Sequence, residues 1–347
     1  MAATQPDPPT RYQIAPACGD LTRAALAALQ APSFLNTQPW RWRLTHDSAL
    51  LSADPRRRLA AMDPSGRLQV LSCGAALHHA CVALAAAGVD FEVEPMAGDG
   101  GTDLLAVVRH RGRARPSAAA QRLRRAIPVR RSDRRPFAGT PVPDEAIERL
   151  RAAAERPGAH LHVAWSRELT EIAVAAGQAA DALLADPGYR AELAEWVRPP
   201  GEGHDGLPID TLAPVGARTV PVRDFTAVAG APGIFSRVDV ADREARYGII
   251  VTDGDGPGDW LLAGVALSAV LLTATADRLA TSTMSDLVEH EVPRRTLRRM
   301  LGGVGYPAIG VRIGVPAPGP PPPKAPRRRA AEMIEVVADP VAGSDRP

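Results

Sequence analysis

The segment VRRSDRR, residues 129–135, places four arginines and a serine close together. Arg130, Ser132 and Arg134 alternate, so in an extended backbone their side chains project to one face. Two guanidinium groups and a hydroxyl group on one face are donors that suit the oxygens of a phosphate. The spacing therefore predicts an anion site.

The same segment ends a longer basic stretch, residues 109–135, which has eleven arginines and a single acidic residue. A solvated linker and a nucleic-acid surface are the alternatives to an anion site. The first part, 109–125, mixes Gly, Pro and Ala with charge and is typical of a connection that leads into an exposed helix. Nucleic-acid binding favours aromatic residues or a recognition helix beside the charge, and neither is evident. We therefore expect no nucleic-acid partner.

A second polar cluster, APSFLNTQPW at residues 31–40, lies between a helix-like and a strand-like segment. One interpretation is a helix-to-strand turn in which Ser33 and Asn36 cap their own backbone. That interpretation accounts for two polar residues and leaves Gln38 and Trp40 unexplained. A turn that holds a ligand is the alternative.

Two other motifs are set aside. Cys73 and Cys81 flank adjacent histidines at 78–79, but the cysteines are eight residues apart and adjacent histidines point to different sides of a helix. The sequence GVGYPA at 303–308 imitates a dinucleotide fingerprint, yet it follows a basic helix-like segment and leads into a strand. We assign neither a metal site nor a dinucleotide site.

The composition limits the class of protein. A chain of 347 residues with 45% apolar residues can form two domains with a sizeable core. Lys and Arg outnumber Asp and Glu only by 41 to 39, which argues against wholesale binding to nucleic acid or membrane. The three cysteines form no C-x-x-C pair and the N-terminus has no secretory apolar segment, so we expect a cytoplasmic protein. The apolar run 260–276 predicts a buried helix.

Periodicity and turn residues divide the chain into helices and strands. The first part predicts a helix, a hairpin, a buried helix that ends on glycine, and two strands, at 21–30, 41–54, 72–88, 91–96 and 104–110. The second part predicts a helix, two strands, an apolar helix and a last strand, at 141–158, 160–165, 247–256, 260–280 and 306–315. This order is typical of an α+β protein.

The two parts repeat each other weakly. Aligning Gly74 with Gly264 sets the two apolar helices in register. The prolines that stop the preceding helices, Pro32 and Pro157, lie 125 residues apart, whereas the glycines lie 190 apart. If the two parts are repeats, the second part carries about 65 residues between these two landmarks that the first part lacks.

The repeat predicts two halves, residues 1–115 and 116–347. The additional residues fall near 185–245, a Pro- and Gly-rich segment with several large apolar side chains, which indicates a cover over a site rather than a disordered loop. Residues 315–326, VPAPGPPPPKAP, predict an extended polyproline arm.

Both polar clusters resemble motifs of the flavin-binding nitroreductases. In that family an R-R-S-x-R element precedes a helix led by P-V-P, and A-P-S-x-x-N-x-Q-P-W enters a strand. Here the second element stands in the first half, at 31–40, and the first element stands in the second half, at 130–134. The chain resembles the Acg family of single-chain, fused nitroreductase-like proteins over residues 20–335. The resemblance implies a nitroreductase-like α+β fold of two pseudo-symmetric halves with a lid.

The resemblance also implies one FMN site between the halves and no catalytic side chain, because the flavin carries the redox chemistry. Arg130, Ser132 and Arg134 would contact the phosphate and ribityl chain, while Ser33 and Asn36 would hold the flavin from the opposite half. The full set of implied FMN-binding residues is Ser33, Asn36, Gln38, Arg130, Ser132, Arg134, Met284, Ser285, Arg327 and Arg328. Two positions depart from the family pattern: Asp286 stands where Gln is expected, and Arg329 replaces a proline.

The expected function is that of an NAD(P)H-dependent FMN oxidoreductase that reduces nitro compounds or quinones. The alternative is an FMN-sequestering protein whose lid covers the flavin and limits turnover. The absence of a credible G-x-G-x-x-G motif favours FMN over a dinucleotide flavin. We expect no membrane partner, and a monomer that works as a pseudo-dimer or a weak homodimer.

Overall fold

The computed structural model describes residues 16–96, 103–199, 201–212, 218–223, 225 and 242–337. The N-terminal segment 1–15 and a large part of the predicted cover lie outside these ranges.

Helices and strands alternate along the chain. The first part contains α1 (Pro16–Ala28), β1 (Trp40–Leu44), β2 (Ser48–Ala53), α2 (Arg67–Ala86), β3 (Val89–Pro95), β4 (Leu104–Arg113) and α3 (Ala118–Ala126). The second part contains α4 (Asp144–Glu155), β5 (His160–Val163), α5 (Leu169–Ala185), α6 (Pro187–Trp196), β6 (Val197–Arg198), β7 (Leu207–Pro208), β8 (Arg246–Thr252), α7 (Pro257–Ala276), β9 (Ala280–Met284), α8 (Asp286–Glu289), α9 (Glu291–Met300), β10 (Tyr306–Gly314), α10 (Ala330–Met333) and β11 (Ile334–Val336). The mixed α+β class that the sequence predicts is confirmed.

Two predicted elements differ in length. Helix α1 begins at Pro16, before its predicted start at 21, so Asp20 lies inside it, and the carboxylate pairs with Arg113 at 3.0 Å. Strand β4 continues to Arg113, where the sequence indicated a connection, because β3 pairs with it as far as Val89. The basic residues at 109–113 are therefore strand residues.

The two main sheets have the same strand order. In the first sheet β1, β2, β4 and β3 are neighbours in that order, and in the second sheet the order is β5, β8, β10 and β9. All of these neighbours are antiparallel. The segment between β5 and β8, residues 164–245, has no counterpart between β1 and β2. This additional segment includes α5, most of which lies before the predicted bounds of the cover, 185–245.

The end of the chain returns to the first sheet. Strand β11 pairs in parallel with β1, with Ile334 opposite Trp42. The proline-rich residues 315–326 carry the chain from the second sheet to this edge. The sequence predicted the arm but not the strand that follows it.

Helices α2 and α7 form the centre of the fold. Both are apolar around most of their circumference, and such helices are stable only when they are enclosed. They are the two helices of the described residues that are long and apolar enough to cross a membrane, but 78% and 67% of their apolar windows are buried inside the protein. They are therefore core helices, as the sequence predicts for α7.

The two helices cross at a pair of glycines. A Cβ atom on Gly74 would lie 2.0 Å from the carbonyl oxygen of Leu261, and one on Gly264 would lie 1.9 Å from that of Leu71. The contact is reciprocal, because each glycine meets the residue three positions before the other glycine. Only glycine allows the helix backbones to approach this closely.

A pair of histidines lies beside the crossing. The hydroxyl oxygen of Ser268 lies 2.8 Å from Nδ1 of His78 and 2.9 Å from Nδ1 of His79. Burial lowers the pKa of His78 to about 4 and lowers that of His79 well below its usual value. Both rings are therefore neutral at pH 7.

Replacing either crossing glycine should separate the helices. Gly74→Ala and Gly264→Ala each place a methyl group against a backbone carbonyl, so each should lower the free energy of unfolding by about 1–3 kcal/mol in urea denaturation. Gly177→Ala is the matched control, because a Cβ atom added to this glycine of α5 would meet no atom of another described residue within 4 Å, apart from its own helix backbone and chain neighbours. The control should raise stability by about 0.5–1 kcal/mol. Equal effects at the three positions would contradict a tight crossing.

The buried histidines should make stability depend on pH. Unfolded histidine has a pKa near 6.5, so below about that pH the unfolded chain binds protons that the folded chain excludes. The free energy of unfolding should therefore fall as the pH drops from about 6.5 towards 4, by up to about 1.4 kcal/mol per pH unit for each histidine. His78→Gln keeps a partner for Ser268 and should reduce this slope in denaturation curves at pH 7, 6 and 5. An unchanged slope would show that His78 does not resist protonation.

Candidate functional site

A cavity opens among the turn at 31–36, helices α2 and α7, the segment after α3, the second sheet, the proline-rich arm and the additional segment 164–245. The space that protein atoms leave free there is about 1380 Å³, including open solvent at its mouth. Eight of the ten residues that the sequence singles out line it: Ser33, Asn36, Arg130, Ser132, Arg134, Met284, Ser285 and Arg327. Gln38 and Arg328 do not. Residues far apart in the sequence thus meet at one cavity.

The turn at residues 31–40 has a strained backbone. Leu35, Asn36 and Gln38 have positive φ angles of 45°, 56° and 49°, in the left-handed region that residues other than glycine seldom adopt. Two hydroxyl groups hold this shape: Ser33 Oγ accepts from the Gln38 amide at 2.9 Å, and Ser72 Oγ accepts from the Phe34 amide at 3.0 Å. Strain of this kind is common at binding sites. Ser33 therefore caps the turn and also faces the cavity.

The Asn36 side chain joins three segments. Its Nδ2 donates to the carbonyl oxygens of Gly206 at 3.0 Å and of Pro326 at 3.1 Å, and its Oδ1 accepts from Nη1 of Arg327 at 2.9 Å. The partners belong to the additional segment and to the end of the proline-rich arm. The amide therefore fixes cover and arm to the turn, and it does not cap its own backbone.

Gln38 has a similar role outside the cavity. It is fully buried, its Nε2 donates to the carbonyl oxygen of His204 at 2.9 Å, and its Oε1 accepts from the amide of Arg328 at 2.8 Å. The Arg328 guanidinium turns away from the cavity to Glu332, at 3.2 Å. These two residues support the turn from behind.

The cavity wall concentrates buried positive charge. Nε and Nη1 of Arg130 and Nε of Arg327 have no hydrogen-bond partner among the described residues. Burial, and after it repulsion from neighbouring arginines, lowers the pKa of Arg130 to about 9. The same two causes lower the pKa values of Arg134 and Arg327 to about 10. Lys324 lines the same wall. An anion would relieve this repulsion and satisfy the free donors.

A buried ion cluster shapes the anion segment from behind. Nη2 of Arg312 donates to the carbonyl oxygens of residues 133 and 135, both at 2.8 Å, and Nη2 of Arg218 donates to that of residue 134 at 2.9 Å. Asp242 pairs with both guanidinium groups. The three side chains are almost completely buried. The site residues predicted from the sequence do not include this cluster, although the arginine within the apolar strand YPAIGVRIGV was a usable signal.

The end of β9 supplies another part of the wall. Met284 is buried, and Ser285 and Asp286 follow it at the cavity. Asp286 shares the short helix α8 with Glu289, and Arg223 of the additional segment pairs with Glu289. Burial raises the pKa of the Asp286 carboxyl, and repulsion from Glu289 adds to the shift. The sequence drew attention to Asp286 only as a departure from a family pattern.

The additional segment closes one side of the cavity. Its apolar and polar side chains in the wall are Leu207, Thr211, Val222, Arg223 and Phe225. The Phe225 ring lies between two guanidinium groups, 5.6 Å from that of Arg134 and 5.5 Å from that of Arg223. Ion pairs and hydrogen bonds fix the segment elsewhere, from Asp205 to Arg57 and from Tyr189 to Glu289.

No metal centre is apparent in the described part of the chain. Within these residues no three His, Cys, Asp or Glu side chains are grouped as metal ligands would be. His79 is enclosed between α2 and α7, and Cys73 is buried beside the carbonyl of Pro39.

Comparison with known proteins gives close relatives in Mycobacterium tuberculosis, although no family model matches the chain. The protein Acg, which is named for an inferred NAD(P)H nitroreductase activity, is 34% identical over 324 residues, 92% of this chain and 96% of Acg. A second protein named for the same inferred activity is 36% identical over 317 residues, 89% of each chain. A third, whose name states no activity, is 31% identical over 342 residues, 94% of this chain and 96% of its own.

Solved structures with a similar arrangement are more distant. The FMN-dependent nitroreductase of Mycobacterium smegmatis, solved with NADPH, has 16% identity and a TM-score of 0.36, covering 62% of this chain and 98% of its own. A Bacteroides fragilis nitroreductase with bound FMN has 13% identity and a TM-score of 0.35, with the same coverage. Both TM-scores are below 0.5, so the assignment depends on the sequence relatives. Identity above 30% across about nine tenths of these relatives shows that the chain belongs to the Acg family of nitroreductase-like proteins.

Proposed function

We propose that this protein binds one FMN in the cavity and acts as an NAD(P)H-dependent oxidoreductase on nitro compounds or quinones. The observation that carries the proposal is the buried cationic wall, in which Arg130 and Arg327 present N–H groups without a hydrogen-bond partner among the described residues to the cavity. A wall of this kind is costly without an anionic ligand. Because the chain belongs to the Acg family of nitroreductase-like proteins, we propose FMN as this anionic ligand.

The donors fit the phosphate end of FMN. A phosphate dianion needs several charge-assisted hydrogen bonds, and arginine forks provide them in fixed geometry. Arg130, Ser132 and Arg134 come from the segment after α3, and Arg327 and Lys324 approach along the proline-rich arm. Arg218 and Arg312 stay behind the segment, where they fix its backbone carbonyls.

The remaining walls suit the flavin ring. The turn at 31–40 offers polar groups on one side, Met284 and Ser285 lie on another, and Leu68 and Leu71 of α2 give an apolar surface. When bound, FMN supplies hydride transfer between a nicotinamide and the acceptor. The chain's own residues orient it, exclude water and balance its charge.

We further propose that the chain consists of two pseudo-symmetric halves with a single site. Three observations support this: the identical strand order of the two sheets, the reciprocal contact of Gly74 with Gly264, and the segment 164–245 that only the second half carries. The second half has RPGAHLHVAW, residues 156–165, where the first has the polar turn, and it lacks an Asn or Gln there. The cytoplasmic location and the monomeric or weakly dimeric state stay predictions.

A second candidate function is FMN sequestration beneath the cover. The observation that favours it is the set of ties that fix the additional segment, because Asn36, Gln38, Arg57 and Glu289 all bond to it. A nicotinamide or an acceptor could reach the flavin only if these ties opened. The two candidates share the FMN site and differ in whether the cover moves during turnover.

Removing the guanidinium group of Arg130 should weaken FMN binding without weakening the fold. Arg130→Met should weaken FMN binding at least about tenfold, because a charge-assisted contact contributes about 1.5–3 kcal/mol. The same change should not lower, and can raise, the stability of the FMN-free protein, since it removes an unpaired buried charge. Fluorescence titration and urea denaturation measure the two effects. Arg124→Met, on the exposed face of α3, is the charge-matched control and should change neither. Unchanged FMN affinity in Arg130→Met would contradict the phosphate assignment.

Anaerobic mixing with NADPH distinguishes the two candidate functions. Rapid bleaching of the FMN-loaded wild type supports the oxidoreductase. Slow bleaching that becomes fast in Tyr189→Phe or Asp205→Asn, which loosen ties of the cover, supports sequestration. Glu291→Gln, an exposed change in α9, is the control and should bleach like the wild type. Persistent colour in every variant, with either NADPH or NADH, would contradict a nicotinamide donor.

A further inference from the structure

Two carboxyl groups and one guanidinium group lie together beside the part of the cavity wall that follows β9. Asp286 and Glu289 lie three positions apart on α8 and therefore on one side of it. Arg223 of the additional segment pairs with Glu289, and the Tyr189 hydroxyl of α6 donates a hydrogen bond to the same carboxylate. Two carboxyl groups that share one cation away from bulk water repel each other when both carry charge.

The contacts distinguish the two carboxyl groups. The Glu289 side chain is fully buried, pairs with Arg223 and accepts a hydrogen bond from the Tyr189 hydroxyl. Asp286 lines the cavity and retains some exposed surface there. Burial raises the pKa of the Asp286 carboxyl, Arg223 opposes this shift, and repulsion from Glu289 adds to it. Asp286 is therefore the carboxyl group that is placed to give a proton to a molecule in the cavity.

We propose that Asp286 is the proton donor to the acceptor molecule in the cavity. The proposal rests on the proposed oxidoreductase function and adds a protein acid to it. Two-electron reduction of a quinone to a hydroquinone takes one hydride and one proton. A reduced nicotinamide supplies the hydride equivalent through the FMN, and the O–H bond of Asp286 breaks as its proton passes to a quinone oxygen. The carboxylate that remains regains a proton from solvent.

This assignment also describes the preferred acceptor. A protonated carboxyl donates a hydrogen bond, so the acceptor should present an oxygen such as a quinone carbonyl or a nitro group. Phe34, Val222 and Phe225 line the same cavity and give it an apolar surface. A planar, uncharged aromatic compound with such an oxygen fits these groups, whereas a carboxylate substrate would compete poorly beside Glu289.

Reoxidation by two acceptors tests the proposal. FMN-loaded wild type and Asp286→Asn are reduced and then mixed, in a stopped-flow instrument, with 1,4-benzoquinone or with ferricyanide, which takes electrons without a proton. Because a general acid contributes about 10²–10⁴-fold, the variant should react at least about 100-fold more slowly with benzoquinone and equally fast with ferricyanide. In the wild type the benzoquinone rate should also fall as the pH rises through the raised pKa of Asp286. Equal slowing with both acceptors, or none with either, would overturn the assignment.

An infrared measurement provides a readout that does not depend on turnover. The wild type at pH 7 should show a carbonyl band of a protonated carboxylic acid that is lost in Asp286→Asn and kept in the surface variant Glu291→Gln. If the protein binds FMN but the carboxylic acid band survives in Asp286→Asn, the assignment of Asp286 as proton donor is wrong and the proposed function still stands. A protein that takes up no FMN would overturn the proposed function and the proton donor together, even if the band is present.

Discussion

The close crossing of α2 and α7 is the contact on which the rest of the molecule depends. Gly74 and Gly264 let each helix touch a carbonyl oxygen of the other, so the two sheets that flank the helices are held at a fixed and short distance. The turn that follows α1 and the segment that follows α3 then reach the same cavity from opposite sides. A side chain at either glycine would move these walls apart, although neither glycine is itself a residue of the site.

The cavity is built around an electrostatic imbalance. Arg130, Arg134 and Arg327, which have no acidic partner in the described part of the chain, line one part of it, and Asp286, whose pKa is raised by burial, lines another. Such an arrangement weakens folding unless other contacts compensate for it. The buried cluster of Asp242 with Arg218 and Arg312 provides that support, since it fixes three successive carbonyl groups of the anion segment. Function and stability are therefore assigned to different arginines, which meet at one backbone segment, residues 130–135.

Local patterns in the sequence predicted much of this fold and of the site. The period of apolar residues gave the helices and strands, and the alignment of Gly74 with Gly264 selected the two residues that touch at the crossing. The spacing in VRRSDRR and APSFLNTQPW selected residues that line one cavity. These signals are short in range, and each reflects a constraint on neighbouring residues.

Features that depend on long-range contacts were missed. The pairing of β11 with β1 and the partners of Asn36 and Gln38 join residues about 170 to 290 positions apart, which no periodicity records. Asp286 drew attention only because it departs from a pattern, and its environment depends on Arg223, which lies in a Pro- and Gly-rich segment without periodicity. Most of helix α5 lies outside the predicted cover, 185–245, whereas the strand order places all of it within the additional segment.

The central claim is that one cavity, shared by two halves of a single chain, holds one flavin. Counting bound FMN tests it most directly: FMN-free protein is titrated with FMN, excess ligand is removed, and flavin and protein are measured in the same sample. The account predicts one FMN for each 347-residue chain, lost when Arg130 is replaced by Met. Two FMN molecules per chain, or one that stays bound in Arg130→Met, would contradict it.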